Sequence, residues 1–433
     1  MKKISIWSEI SNKICDSLNN DIETDVLIIG GGITGISTAY HLINSNLNVC
    51  LVEKNTIASG VTSKTTGKLT YLQDNIYTKI KKYHNKYVAK KYLDSQKDAI
   101  KIVKNIIDNE NIECNLEQVD SYVFTNNLES NIYKDINLLK EFNISLEETN
   151  LLPDDIKVKK SYYVHDTYVF HPIKYLNRLK DICINNGVSI YENTNIISIV
   201  KDDTFYICKT NKNNIRAKYV VVASHYPYFF KKLFMPLKSY IEKSYIEAYK
   251  VYKNYKYSSI NIDKVPISTR YYSNNNTNYK IYLTNSHNTS INNNDLYNFY
   301  SVLKNNNNPD YIWSNKDIVT LDSLPFIGSL NDDNTLLIGT GYNTWGMTNG
   351  SLAGKILSDI ILNRKNDYVD LFDPRRCLSK GLINFPIVLC GNAYSFIKSK
   401  VNKNKKWYSD RVRFEKRKEK MLQSILMIIT RNI

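Results

Sequence analysis

The chain has 433 residues, 42% of them apolar and 12% aromatic, which marks a globular protein large enough for two domains or one large elaborated one. No apolar run approaches the ~20 residues of a membrane-spanning helix, and the opening MKKISIWSEISNKICDS lacks the apolar block and cleavage site of a secretory signal, so the cytoplasm is the expected compartment. The formal net charge is +16, but residues 395–433 hold twelve Lys or Arg against three acids and so carry nine of those charges; the excess belongs to the tail, and nucleic acid is not an expected partner.

Residues 1–24 read as an N-terminal arm. DVLIIGGGITGISTAYHLINSNLNVCLVEK, at 25–54, then begins with the buried-strand run Val26 to Ile29 and continues into Gly30, Gly32 and Gly35 at G-x-G-x-x-G spacing. Gly30 permits a tight turn, Gly32 lets the backbone approach a pyrophosphate, and Gly35 lets the following helix lie close to the strand. The helix start offers free N–H groups to phosphate. Apolar positions continue at helical spacing, the helix is expected to stop near Asn46, and a second strand ends in Glu53, placed to accept hydrogen bonds from ribose hydroxyls. A dinucleotide site follows from this context, with FAD and NAD both open.

The Gly/Ser/Thr-rich NTIASGVTSKTTGKLTYLQ comes next, with side chains small enough for close contact with a cofactor. Helical spacing predicts helices over 76–110 and 130–147, with a strand at 121–125 between them. The stretch 170–200 reads as a helix capped near Gly187 and then a strand; 217–224 is another strand. From 236 to 300 the texture is β-like and tyrosine-rich. At 334–363 a strand, a glycine turn and a long helix recur, and such a helix start can stabilise negative charge. The Asn-rich SNNNTN and KNNNNP read as polar turns. Residues 371–433 form a basic C-terminal extension, whose tail KNKKWYSDRVRFEKRKEKMLQSILMIITRNI is expected to close on the body as a helix with a solvated basic face, with weak membrane-surface contact as the alternative. Seven cysteines without metal-ligand spacing read as free thiols, and no metal or iron–sulfur site is expected.

Six ordered blocks (DVLIIGGGITG with VEK, ASGVTSKTTGKLT, FHPIKYLNRL with YENTNIISI, YVVVAS, DSLPFIG, and IGTGYNTWGMTNGSLAGKILSD) resemble the FAD-dependent D-amino-acid oxidase, glycine oxidase and sarcosine oxidase superfamily over roughly 25–375. GVTSKTTGKLT, ASHYP and GYNTWGMTNG with LFDPRR look most like a bacterial branch often fused to a Rieske domain, whose C-x-H and C-x-x-H are absent from this sequence. The resemblance implies an α/β fold in which a Rossmann-like FAD-binding domain (25–75, 165–235 and 318–370) is interleaved with an α+β substrate domain (76–164 and 236–317) containing a mostly antiparallel sheet. It implies FAD as the cofactor, held by Gly30, Gly32, Ile33, Thr34, Gly35, Glu53 and Lys54, with Ile196 facing the adenine and Ala223 ending the third strand. Ser59, Gly60, Thr65, Thr66 and Lys68 would line the pyrophosphate and the ring, and Gly341, Gly346, Met347 and Thr348 would sit at its pyrimidine edge.

Some members of the superfamily hold flavin covalently through a His matching Val61 to Thr66, or through a Cys before the last glycine turn. Here the first segment has Lys64 and no Cys occurs from 209 to 376, so noncovalent FAD is expected. Thr348 stands where related enzymes carry a carboxylate-binding Lys. The implied reaction is oxidation of an amine or amino acid by hydride transfer to the flavin, with O2 or a separate electron-transfer partner as acceptor; a non-catalytic flavin- or RNA-binding protein is the alternative. Lys68 is the first candidate for a charged group at the flavin face, against a solvent-facing lysine. Arg270 is a candidate anion anchor, and Tyr342 and Trp345 are candidate pocket walls, against plain core roles. His171, before Pro172, reads as a cap; His225 could approach the cofactor; His165 belongs to no catalytic spacing.

Overall fold

The computed structural model describes residues 1–10, 13–127, 131–227, 238–289 and 308–376. The tail expected to form a basic helix, with Cys377 and Cys390, lies outside them. Two sheets organise the chain, and each draws its strands from separated segments, as the interleaved α/β fold requires.

The first sheet is centred on Ile22–Ile29, whose V-L-I-I run is buried on both faces. Val49–Val52 lies parallel on one side and Asn214–Val222 parallel on the other. Ser189–Tyr191 extends the sheet beyond Val49–Val52. Asn214–Val222 divides its outer edge: its first half pairs antiparallel with Phe205–Lys209, and Val220 to Val222 pair parallel with Leu336–Thr340. Helix Ile33–Leu42 connects the first two strands, and helix Gly346–Ile361 packs directly on it. Glycines make this crossing close. A Cβ at Gly354 would stand 2.4 Å from that of Ser37, and one at Gly350 would stand 2.5 Å from Ile33 Cγ2.

The second sheet has nine strands and is antiparallel except where Tyr257–Asn261 runs parallel to Glu117–Thr125. Its far edge pairs Ser239–Val251 with Tyr311–Thr320 and with Thr277–Asn288. Lys157–Val169 runs its full length in this sheet, so membership changes at Phe170 rather than at the 165 expected from sequence.

Local expectations shift where a turn residue intervenes. The first helix ends at Leu42, a turn before Asn46, and Ser45 Oγ donates to Leu42 O at 2.6 Å. The helical stretch 76–110 is two helices, Ile76–Tyr83 and Lys86–Asn109, because Asn85 starts the second by accepting from Val88 N–H. The 130–147 helix is Ile132–Glu141; Asn143, at φ +58°, turns the chain into the strand Glu147–Leu151. His171 is a cap, its Nδ1 accepting from Lys174 N–H at the start of Pro172–Asn185. Among the described residues no helix is long and apolar enough to cross a membrane, and Cys15, Cys50, Cys114, Cys183 and Cys208 are free.

The arm is tied down by Trp7. This residue is fully buried, its ring meets His171 and Tyr272 edge-on, and its Nε1 donates to Thr65 O at 2.7 Å. Trp313, on the second sheet, donates to the neighbouring Lys64 O at 3.0 Å. Two indoles therefore fix the hydroxyl-rich loop between the sheets.

Candidate active site

A cavity of about 550 Å³ opens at the C-terminal ends of the parallel strands, the place where open α/β sheets bind ligands. Its floor is the glycine turn. Gly30 has φ +116°, and a Cβ there would lie 2.8 Å from Ala223 O. A Cβ at Gly35 would lie 1.9 Å from Gly30 O, so the helix can approach the strand only with glycine in that place. Gly32 caps the helix and Ile33 N–H donates to Thr62 Oγ1 at 3.2 Å. The Glu53 carboxylate accepts from Gly31 N–H at 2.8 Å and Asn55 N–H at 2.9 Å, which holds it at the rim while leaving lone pairs free.

The expected cofactor residues divide. Gly30, Gly32, Ile33 and Thr34 line the cavity, as do Glu53, Lys54, Gly60 and Thr65. Ile196, Ala223, Gly346 and Met347 complete the set brought together there. Gly35 lies beneath the turn. Ser59 is exposed and donates to Thr56 O. Gly341, at φ +75°, turns the chain against Thr320 rather than facing the cavity. Thr348 is buried in a neutral network in which Gln73 Nε2 reaches Thr348 Oγ1 at 3.1 Å and Gln96 Oε1 at 2.8 Å. His225 lines the cavity, and burial lowers its imidazole to about 4.

The second glycine turn closes the opposite side. Tyr342 OH meets Thr34 Oγ1 at 2.7 Å and so joins the two helix starts. Asn343 (φ +51°) and Thr344 (φ +70°) follow in left-handed conformation, unusual for a β-branched residue. Asn343 is held there: its Oδ1 accepts from Thr320 N–H at 2.8 Å. Both helix starts, at Ile33 and Gly346, contribute partial positive charge to the cavity.

Beyond this turn the cavity continues into a compartment of about 90 Å³. Lys64, Thr65, Asn315, Asp317, Thr344, Gly346 and Met347 line both spaces. Thr66, Lys68 and Trp345 line only the compartment. Lys68 is buried, not solvent-facing; its Nζ donates to Ser259 O at 2.8 Å and Ser268 Oγ at 2.6 Å. Burial, with a smaller contribution from the Arg270 charge, lowers its ammonium to about 7. Arg270 lines neither space. Its Nη1 donates to the carbonyls of Thr66, Gly67 and Phe170 at 2.8–3.0 Å and its Nε to Tyr271 O at 3.1 Å, so it fastens the loop and has those donors spent. His165 is at the surface between Asp120 and Glu147.

Sequence reasoning missed the compartment's acids. Glu242 and Asp317 lie directly opposite each other on adjacent antiparallel strands, and Ser244 opposes Asn315 two residues along, on the same face. Burial, then the neighbouring Glu242, raises the Asp317 carboxyl to about 7; burial also raises Glu242. Each acid sits among other polar residues, in IEKS and SNKD, so neither segment alone marks it out.

The model of the FAD-dependent oxidoreductase family matches residues 25–360. The chain belongs to that family. It is 30% identical over 400 residues to YhfW of Bacillus subtilis, whose name describes a Rieske 2Fe-2S iron–sulfur protein; the match covers 89% of this chain and 78% of that one. It is 24% identical over 230 residues to the gamma-glutamylputrescine oxidoreductase of Escherichia coli, covering 51% of this chain and 54% of the relative. The crystal structure of glycine oxidase from Geobacillus kaustophilus superposes with a TM-score of 0.65 at 15% identity, over 82% of this chain and 99% of that one. The cofactor of this oxidoreductase is FAD. The residues present suit it: a glycine cradle that side chains would fill, two helix starts for the pyrophosphate and ring, and a rim carboxylate.

Proposed function

We propose that this flavoenzyme oxidises the C–N bond of an amine or amino acid and holds FAD noncovalently. The observation that carries the reading is the continuity of the glycine cradle with a buried, charged compartment through seven shared lining residues. Bound FAD supplies the acceptor for a hydride leaving the carbon beside nitrogen. The Ile33 helix start binds the pyrophosphate, Glu53 takes the ribose hydroxyls and Ile196 borders the adenine. The N–H groups at Gly346 and Met347 would face the pyrimidine side of bound FAD, where a helix start favours negative charge. Trp345, Ile260 and Leu283 give the compartment an apolar side beside its charges. Lys68 Nζ, fixed by two oxygen acceptors and lowered to about 7 chiefly by burial, sets the charge of the compartment near neutrality. The names of the relatives, an amine-type oxidoreductase and an amino-acid oxidase, agree with this class.

The test is an absorption spectrum of the purified protein before and after acid precipitation, followed by anaerobic bleaching with amines and amino acids. Flavin absorbance released into the supernatant and bleached by one compound class is the expected result. Colour retained in the pellet would overturn noncovalent binding and point to His225, the imidazole on the cavity wall. Oxidised flavin unaffected by every amine and amino acid would overturn the reaction. Turnover with and without oxygen then separates an oxidase from a dehydrogenase serving a separate iron–sulfur or quinone acceptor, the reading that similarity to YhfW favours.

A further inference from the structure

We infer that the compartment beside the cavity binds a second, non-reacting ammonium group, which makes the substrate an aliphatic diamine or a longer polycation rather than an α-amino acid. The inference rests on the amine-oxidation reading above. Its first support is the register. Placing like charges directly opposite across paired strands is destabilising, yet Glu242 faces Asp317. Among the described residues neither carboxylate has a Lys or Arg ion-pair partner; Lys68 is turned to Ser259 and Ser268, and Lys79 pairs with Asp74. The second support is independent of charge. Asn315, only 6% exposed, donates through Nδ2 to Asp317 at 3.1 Å and leaves its buried Oδ1 without a hydrogen-bond partner. Two carboxylates and an unsatisfied carbonyl oxygen on one face of the sheet together ask for a ligand with several N–H donors, which an ammonium supplies and a carboxylate does not.

Chemistry then decides which nitrogen sits there. Hydride loss from the carbon beside nitrogen is driven by the lone pair of an unprotonated amine. Carboxylates around an amine hold it protonated and oppose that loss. The nitrogen in the compartment is therefore not the one oxidised. A compartment of about 90 Å³ takes the ammonium and a short piece of its alkyl chain, and the chain leads back past Thr344 and Met347 into the larger cavity. Arg270, the residue expected to anchor a carboxylate, has the donors described above committed to backbone carbonyls.

The test compares 1,4-diaminobutane, 1-aminobutane and 4-aminobutanoate as reductants of the flavin-loaded enzyme, with calorimetric binding of each under anaerobic conditions. The expected result is a kcat/KM at least tenfold higher for the diamine than for the monoamine, carried by KM, and lowest for the amino acid. Glu242→Gln should shrink the diamine-to-monoamine ratio towards one, while Glu242→Asp retains part of it; retained flavin absorbance confirms that both variants are folded. Equal or better reduction by the monoamine or the amino acid would sink the diamine assignment and leave amine oxidation standing. An unchanged ratio in Glu242→Gln would do the same. A flavin that no member of the series reduces, but that α-amino acids reduce, would overturn the assignment while keeping the reaction class.

Discussion

The two ends of the active-site cavity are built from different materials. The cradle end is backbone: glycines, helix starts and carbonyls whose fit allows almost no added atom. The compartment end is side chain: three carboxylates, two lysines, an asparagine and a tryptophan, drawn from the second sheet and from the loops and helix start beside it. A backbone site binds what every family member binds, because its recognition elements do not depend on residue identity beyond glycine. A side-chain site can change with single substitutions, so on the proposed reading substrate selection belongs there.

The largest expected effect breaks the cradle. Gly35→Ala puts a methyl 1.9 Å from the Gly30 carbonyl oxygen, a backbone atom that cannot swing aside. Overpacking of this kind costs about 3 kcal/mol or more. Flavin retention through gel filtration should fall at least a hundredfold. A variant that keeps its yellow colour at wild-type stoichiometry would show that the helix can shift and that the cradle is less exacting than its geometry indicates.

Arg270→Lys comes next and tests which side of the comparison this residue belongs to. Lysine offers one ammonium in place of the planar fork that now serves the carbonyls of residues 66, 67, 170 and 271. Each buried carbonyl left unpaired costs roughly 1–3 kcal/mol. The melting temperature should drop by at least several degrees while KM for substrate, in protein that remains folded, stays within about twofold. A large KM rise with unchanged melting temperature would restore Arg270 to substrate binding.

The same division explains what the sequence disclosed. G-x-G-x-x-G and the terminal acid of the second strand report the cradle directly, because backbone recognition needs glycine at fixed spacing. Gly30, Gly32 and Glu53 accordingly line the cavity. Lys68 was legible as a candidate, but its burial was not: that depends on Ser259 and Ser268, far along the chain. Asp317 and Glu242 were invisible as a pair, since their opposition arises from strand register, which neither segment encodes alone. Trp7 was missed for a similar reason, its partners Thr65, His171 and Tyr272 lying on three separate segments. Thr348 was matched by position in a motif; its side chain instead joins Gln73, on the face of the helix turned from the cavity.

The smallest effect sharpens the comparison through pH. Asp317 is raised from 3.8 to about 7, chiefly by burial. Between about 4 and 7 the folded chain keeps a proton that the unfolded chain has released, so this group's contribution falls as pH rises and its penalty is complete above 7. Lys68 runs the other way. Lowered from 10.5 to about 7, it penalises the fold fully below 7, and the penalty is relieved as pH rises towards 10.5. Asp317→Asn should therefore raise the melting temperature at pH 8 by about 1 °C for each kcal/mol relieved, as the unfolding entropy of a 433-residue chain at ~2.1 cal/mol/K per residue implies, and by almost nothing at pH 4.5. Lys68→Met should show its gain below pH 7 and lose it towards pH 10. Both variants should weaken turnover while stabilising the protein, which is the expected trade at a site that buries charge for chemistry. A uniform destabilisation of Asp317→Asn at every pH would instead mean that the carboxylate is satisfied by the fold itself, leaving no demand for a cation from the substrate.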